Sequence, residues 1–544
     1  MNHKVLLIKF FFLILIIIIF SIPSFILAPV SINFFDEPYQ ILNAYEPLNS
    51  PLAPLTALIG SWWGKLFNWE WIYFRYLSLI MNILTVSLAS FFLFFNSSKN
   101  YLTIIFITAS CVLFNSIFKN LNSIYGWDNT TYLFSILTLI ITILFFQHKH
   151  IYLLVLTGIF SGITCLMRIP NLIIIPILSF LIFFNKNESS SISLYLKYIL
   201  IYLCSAFLTI FIIIILLYGT FNSYIYYFSN NPIGSHSLRN TLLNYFSSII
   251  NFLPYISLLW SIYHILNLVI TIHNKKLITF TVPLSIIIIF YILFNNHSTI
   301  LVNVILIGIS LSILGISAIV YNNYNLIRTG PTFYAIIIFL FCCIPFIGSN
   351  TGIIKFIAFP AIPIIVAILD KNYIKPMKIY GMICAVSLLG YSYTGIRNGA
   401  FFDVGTRLAT FTLRGGVLNG MKTSEEKGKF IQDVYDNFSP YNIPENNVLV
   451  LRTKTDFIWE YMFLNRNDFL GSKFDYKDGF ENKDYAKWAE SKILNSNKPM
   501  AVLYMAPDST KKTIMQYTLE KHLKKNIVKD KYIVYISPES CKPD

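Results

Sequence analysis

Two adjacent carboxylates, Asp36 and Glu37, stand in the first polar segment of the chain, Phe34-Phe35-Asp36-Glu37-Pro38-Tyr39-Gln40. The chain is otherwise poor in acids until its last quarter: ahead of residue 398 they are Asp36, Glu37, Glu46, Glu70, Asp128, Glu188 and Asp370. Four of these seven fall within residues 31–73. A carboxylate at the mouth of a cavity can take the proton of an attacking hydroxyl. A loop leaving a helix at a water interface also carries acids for solvation or capping. The scarcity of acids elsewhere favours a functional role for at least one of the pair, and we place the base at Asp36 ahead of Glu37.

A third acid, Asp128, sits in Tyr125-Gly126-Trp127-Asp128-Asn129-Thr130-Thr131. It either positions a reactant, joins an ion site with Asp36, or N-caps the helix that follows. Cations that could hold a phosphate by charge-assisted hydrogen bonds are Lys65, Arg75, Arg168, Arg239 and Lys355. Lys355 follows the polar break Gly348-Ser349-Asn350-Thr351-Gly352, between two apolar runs. Snorkelling of a long cationic side chain to lipid headgroups accounts for any one of them equally well. His236, in a polar stretch, reads as a surface residue.

The elements that must position these groups are membrane helices. Of 544 residues, 56% are hydrophobic, 17% aromatic and only 12% charged, a composition outside the soluble globular class. The net charge of +15 forms no basic patch for nucleic acid: residues 1–397 carry 19 Lys and Arg against 7 acids, and residues 398–544 carry 22 against 19. Cationic loops on the cytoplasmic side account for the excess. The seven cysteines show neither a disulfide framework nor metal-ligand spacing. The apolar run from about Val5 to Val30 is longer than a signal-peptide core and reads as a first span.

A helix needs about 20 apolar residues to cross the hydrocarbon core. At that window we expect thirteen spans, near 5–28, 74–95, 101–118, 130–147, 151–167, 171–185, 196–218, 249–272, 277–294, 299–320, 331–348, 353–369 and 379–397. With a cytoplasmic N-terminus the loop cations obey the positive-inside bias throughout. The loops bearing Asp36 and Asp128 then share the outer face, while Glu188 and Asp370 lie inside. Within the first outer loop, 31–73, Leu55, Leu58, Ile59, Trp62 and Leu66 recur at helical spacing, an amphipathic helix lying in the interface.

Two domains result: a membrane domain, 1–397, and a small soluble α/β domain, 398–544, outside the cytoplasm. Val448–Leu451, Met500–Tyr504 and Tyr532–Ile536 read as strands, with helices at 456–464, 484–495 and 509–525 and a parallel sheet expected. It has no Gly-rich phosphate loop, and the chain shows no internal repeat.

The arrangement resembles the membrane-embedded C-type glycosyltransferases (GT-C), in particular the branch holding the protein O-mannosyltransferases and the lipid A aminoarabinose transferase. The likeness rests on Asp36-Glu37 in the first outer loop, Pro51-Leu52-Ala53-Pro54-Leu55, the amphipathic Leu55 to Phe67, and Phe74-Arg75-Tyr76-Leu77-Ser78 opening the second span. Asp128 before the fourth span and Gly158-Ile159-Phe160-Ser161-Gly162-Ile163 with Arg168 complete it. Members often carry His-Pro-Pro-Leu-Tyr where this chain has Ser50-Pro51-Leu52-Ala53-Pro54-Leu55, without the histidine.

The resemblance implies a multi-pass protein of a bacterial inner membrane. It implies transfer of a sugar, with inversion, from a polyprenyl-phosphate donor to an acceptor lipid, polysaccharide or protein outside the cytoplasm. The cations would bind the donor phosphate, and no cofactor is expected, a divalent metal being disfavoured by the lack of an Asp-x-Asp. The alternative is a transporter or flippase of a lipid-linked saccharide. Transporters place ionisable groups at mid-membrane and show repeat symmetry, which this chain does not. A polysaccharide polymerase ranks below both, since its large outer loop lies between later spans.

Overall fold

A computed structural model describes residues 3–230 and 408–538, apart from 33, 35, 97–100, 102–103, 106–107, 113–124, 185–190, 452–456, 464–480, 482 and 506–511. It also describes Phe333, Ile337, Leu340 and Phe341 as single helical positions. The spans expected near 249–272, 277–294, 299–320, 353–369 and 379–397 lie outside the described residues, as do His236, Arg239 and Lys355. Of the spans near 101–118 and 331–348, only a few helical positions are described.

The described N-terminal part is mostly helical. Its helices are α1 (His3–Leu27), α2 (Asp36–Tyr45), α3 (Pro54–Leu66), α4 (Trp71–Asn96), α5 (Trp127–His148), α6 (Ile151–Met167), α7 (Ile174–Phe184), α8 (Ile192–Tyr218) and α9 (Phe221–Asn230). Among the described residues four stretches are long and apolar enough to cross a membrane, Lys4–Leu27, Trp71–Phe92, Trp127–His148 and Ile192–Tyr218, and shorter apolar helices run over Ile151–Met167 and Ile169–Phe184.

Helices α1 and α4 run in opposite directions. Phe10 near the start of α1 meets Phe91 and Phe94 near the end of α4, whereas Phe25 at the other end meets Tyr76. The α5–α6 turn is closed by Lys149 in the left-handed region (φ 58°), whose N–H donates to Phe145 O at 2.7 Å. One end of the bundle thereby gathers the start of α2, the start of α5 and the end of α6.

Hydrocarbon gives no hydrophobic drive to pair helices, so close approach and polar contacts do that work. Gly158 and Gly162, four apart on α6, let α8 come near; a Cβ at Gly162 would lie 2.7 Å from Ala206 O. Thr138 and Thr164 hydroxyls meet at 3.1 Å, Ser90 and Thr108 at 2.9 Å, and Asn129 Nδ2 donates to Asn82 Oδ1 at 3.1 Å.

Helix α3 matches the expected amphipathic segment but buries the opposite face from a soluble helix. Thr56, Ala57, Gly60, Ser61 and Gly64 pack inward, while Trp62 and Leu66 are 65% and 70% exposed. Where the outer solvent is lipid, the large apolar residues face out and the small ones permit tight packing.

The C-terminal part, α10 (Glu425–Phe438), α11 (Ile458–Met462), α12 (Lys483–Leu494) and α13 (Ile514–His522), surrounds a four-stranded sheet. After a short pair β1 (Phe411–Thr412) and β2 (Lys422–Thr423), its strands are β3 (Asn447–Leu451), β4 (Met500–Tyr504), β5 (Lys524–Val528) and β6 (Ile533–Ile536), in the order β3-β4-β6-β5. The sheet is mixed, not parallel as expected: β3 and β4 run parallel, while β6 is antiparallel to both β4 and β5. Strand β5 occupies the end of the helix expected over 509–525. Its Lys-Lys-Asn-Ile-Val sequence is largely exposed, the polar character of a sheet edge. Helix α13 instead ends at His522, opened by a capping box between Thr513 and Gln516.

Strand side chains alternate between two cores. Leu449, Leu451, Val502, Tyr504, Ile533 and Tyr535 pack with α12 and α13. Val448, Val450, Ala501, Leu503 and Val534 join a core that also contains Ile32, Ile41, Leu42, Trp71, Phe74 and Leu77 from the N-terminal part. One face of the sheet therefore belongs to the same core as the acid-bearing loop.

Candidate active site

The chain leaving α1 is held before it reaches the acids. Ser31 N donates to Lys422 O at 2.6 Å, Lys422 N donates to Pro29 O at 2.7 Å, and Lys427 Nζ donates to Ile32 O at 2.7 Å. The Lys427 ammonium also lies 4.4 Å from the centre of the Phe34 ring. Helix α2 then begins at Asp36.

Glu37 is buried and paired with the buried Arg75 of α4. Arg75 Nε donates to Glu37 Oε1 at 2.6 Å and Nη2 donates to Oε2 at 2.7 Å. Arg75 Nη1 donates to the carbonyls of Ala28 and Val30, just past the end of α1, at 2.6 and 2.9 Å. These carbonyls lie where a helix runs out of intrahelical donors, so one guanidinium joins the end of α1, the first turn of α2 and α4. Tyr461 of α11 donates to Trp69 O beside this pair. Burial raises its pKa, with the charges of Glu37 and Glu70 adding to the rise and Arg75 opposing it, so the hydroxyl stays a neutral donor.

Asp128 lies in the first turn of α5, where the helix dipole favours an anion. The N-cap position belongs to Gly126, which answers the capping reading of Asp128. Arg168 Nη1 is 3.9 Å from Asp128 Oδ1, with both side chains largely buried. At this distance the two interact by charge without a direct hydrogen bond.

Arg168 follows the last residue of α6 in extended conformation, and the next residue ties it to the first loop: Ile169 N donates to Leu52 O at 2.8 Å. Asn171 Nδ2 donates to Thr131 Oγ1 at 3.0 Å and to Thr164 O at 2.8 Å. Thr56 Oγ1 donates to Met167 O at 2.9 Å and lies 2.6 Å from Thr130 Oγ1. These buried contacts fix α3, α5 and the Arg168 turn against one another.

Helix α2 closes on the same place. A Cβ on Gly126 would lie 3.1 Å from Gln40, and the rings of Tyr39 and Trp127 are 6.3 Å apart. Asp36 precedes Tyr39 and Gln40 by three and four positions, one helical turn. The start of α2, Asp128 and Arg168 are thus neighbouring features of one end of the bundle. Lys65 is exposed in the last turn of α3.

Sequence reasoning missed Tyr39, Gln40, Asn171, Lys427 and Phe457 at this site. Phe457, next to α11, packs against Tyr39 with ring centres 5.0 Å apart and the planes tilted by 54°. No local pattern joins residues so far apart in the chain. Among the described residues no three His, Cys, Asp or Glu gather as a metal-holding group.

No family model matches the sequence, and no curated protein matches it. Among solved structures the chain is similar to that of ArnT from Cupriavidus metallidurans in the apo state, with 11% identity over 98% of this chain and 99% of that chain, at a TM-score of 0.40.

Proposed function

We propose that this chain is a glycosyltransferase that moves a sugar from a polyprenyl-phosphate carrier to a hydroxyl of an acceptor lipid, polysaccharide or protein. The observation that carries the reading is the meeting of the α2 start, at Asp36, with the Asp128–Arg168 pair at one end of an apolar helix bundle. In this reading a base at Asp36 works beside the Asp128–Arg168 pair, where a lipid-linked substrate would enter from the bilayer. In the proposed orientation this end faces away from the cytoplasm of a bacterial inner membrane, where nucleotide sugars are absent and a membrane-borne donor is the natural source.

In the proposed reaction Asp36 takes the proton of the acceptor hydroxyl. The oxygen bonds to the anomeric carbon as the bond from that carbon to the phosphate oxygen breaks, and the configuration inverts. The carrier phosphate leaves with the electron pair and gains negative charge, which fixed cations stabilise. In this reading Arg168, steered by Asp128, supplies such a cation, with Lys65, Arg239 and Lys355 as further candidates. Glu37 and Arg75 take an architectural part, fixing the loop that carries Asp36.

The test is transfer from a panel of polyprenyl-phosphate sugars by purified protein, wild type against Asp36→Asn. Turnover by wild type, lost in Asp36→Asn while donor binding survives, supports the reading. Lipid binding by both proteins with turnover by neither, even with cell-envelope acceptors present, would replace it with transport of the lipid-linked saccharide.

A further inference from the structure

Beside Asp128 lies a cluster of aromatic rings drawn from both ends of the chain. Tyr39 on α2 contacts Trp127, the residue before Asp128, with ring centres 6.3 Å apart at 75°. On its other side it contacts Phe457 at 5.0 Å and 54°. All three residues are only half-buried. Their neighbours are different in kind: Trp71, Phe74, Tyr125 and Trp459 are fully buried and belong to the shared core. Tyr39 and Trp127 lie outside that core and Phe457 packs at its edge, next to the Asp128–Arg168 pair.

We infer that Tyr39, Trp127 and Phe457 form a composite subsite for the C–H face of a sugar ring. A pyranose is amphipathic: its axial C–H groups form an apolar patch that packs on an aromatic face, while the hydroxyls at its rim seek polar partners. Here the flanking polar groups are Gln40, beside Gly126, and Asp128 with Arg168. The chemistry is shared by the two rings of the proposed reaction, that of the lipid-linked donor and that of a saccharide acceptor, and the experiment separates them. Phe457 belongs to the C-terminal part, so that part completes the subsite as well as covering the loop. The inference rests on the glycosyl-transfer reading for its ligand, though binding can be measured without turnover.

The experiment uses the full-length protein in detergent. Fluorescence of Trp127, taken as the difference between wild type and Trp127→Phe, is followed during titration with a polyprenyl-phosphate sugar, with the same carrier lacking its sugar, and with soluble glycosides. The expected result is a Trp127 response to sugar-bearing ligands and none to the bare carrier. Phe457→Leu, which keeps an apolar side chain but loses the ring, should weaken sugar-bearing ligands about three- to tenfold, and Phe457→Tyr should restore them.

A defect confined to lipid-linked sugar assigns the subsite to the donor, and one confined to soluble glycosides assigns it to the acceptor. Loose docking of the C-terminal part would not change the preference for sugar-bearing over bare carrier, so loss of that preference is specific to the subsite. A Trp127 response of equal size to the bare carrier, or unchanged affinities for both sugar ligands in Phe457→Leu, would overturn the inference. Sugar binding without turnover would sink glycosyl transfer and keep the subsite. Turnover with unaltered KM values in Phe457→Leu would do the reverse.

Discussion

Glu37 and Arg75 form a two-point ion pair, with both carboxylate oxygens held at 2.6 and 2.7 Å while the remaining guanidinium nitrogen caps the end of α1. Both residues are buried, so removing either charge leaves the other without its partner. Such a loss costs about 3–5 kcal/mol. Glu37→Gln and Arg75→Gln should each lower thermal stability in detergent by this order. Arg75→Lys should fail to rescue, because an ammonium lacks the planar fork that reaches Glu37 and two carbonyls together. A melting curve indistinguishable from wild type for Glu37→Gln would show that the pair does not anchor the loop.

The α6–α8 contact depends on the absence of side chains at Gly158 and Gly162. A Cβ at Gly162 would meet a backbone oxygen, Ala206 O at 2.7 Å, which cannot rotate away. Gly162→Val should therefore cost about 1–3 kcal/mol or more through overpacking, read as a lower melting temperature and reduced folded yield. Gly219, where an added Cβ would meet nothing within 4 Å but φ is +76°, is a useful contrast. Gly219→Ala should cost through the backbone conformation alone, with no steric clash to add to it.

The face of the C-terminal sheet bearing Val448, Val450, Leu503 and Val534 is covered partly by Ile32, Ile41, Trp71 and Phe74 of the first loop and α4. Residues 398–544 produced alone would expose part of that face. The expected outcome is a product that binds a hydrophobic dye and self-associates, while the full chain does neither through this surface. A monodisperse fragment with a sharp melting transition would count against the shared core.

This shared core marks where sequence reading reached its limit. The helices Trp71–Asn96, Trp127–His148 and Ile151–Met167 were legible because long apolar runs report membrane burial directly. The strands at 447–451, 500–504 and 533–536 were legible because short apolar runs bounded by polar residues fit a buried sheet. Helix α10 and strand β5 were not: the first is mostly polar on its outer face and the second is a lysine-bearing edge. Glu37 and Arg75 were each visible as unusual charges, but their pairing depends on how α2 lies against α4. Lys427 and Phe457 reach the acid loop from the far end of the chain, a relation that neither period nor spacing encodes.

In the C-terminal part, Glu490 Oε1 lies 2.8 Å from His522 Nε2 and 3.0 Å from Lys521 Nζ, linking α12 to α13. The His522 contact first, and Lys521 after it, hold the Glu490 carboxyl below its ordinary pKa. A carboxylate whose pKa is depressed on folding stabilises the fold above its unfolded pKa, and the contribution disappears as pH falls through the folded value. Glu490→Gln should therefore differ from wild type near neutral pH and converge with it below the ordinary carboxylate range. Melting temperatures taken from about pH 6 to about pH 3 would expose that convergence, and a constant gap would refute the linkage. The group is on the surface, so the effect should shrink in high salt.

At the proposed active site, Asp36 and Arg168 should fail in different ways. A general base acts on the proton moved in the transition state, so Asp36→Asn should lower kcat by about 10²- to 10⁴-fold with little change in donor KM. Arg168 would meet the carrier phosphate before and during transfer. Its loss should raise donor KM about tenfold to a hundredfold, the worth of one hydrogen bond to a charged group, and lower kcat besides. Asp128→Asn separates the remaining roles. If Asp128 only steers Arg168, its removal should reproduce a weakened form of the Arg168 defect. If it positions the acceptor, acceptor KM should rise while donor KM stays put. Steady-state kinetics with both substrates varied distinguishes the two, and equal losses of kcat in Asp36→Asn and Asp128→Asn with both KM values unchanged would leave the identity of the base to the pH profile of the surviving activity.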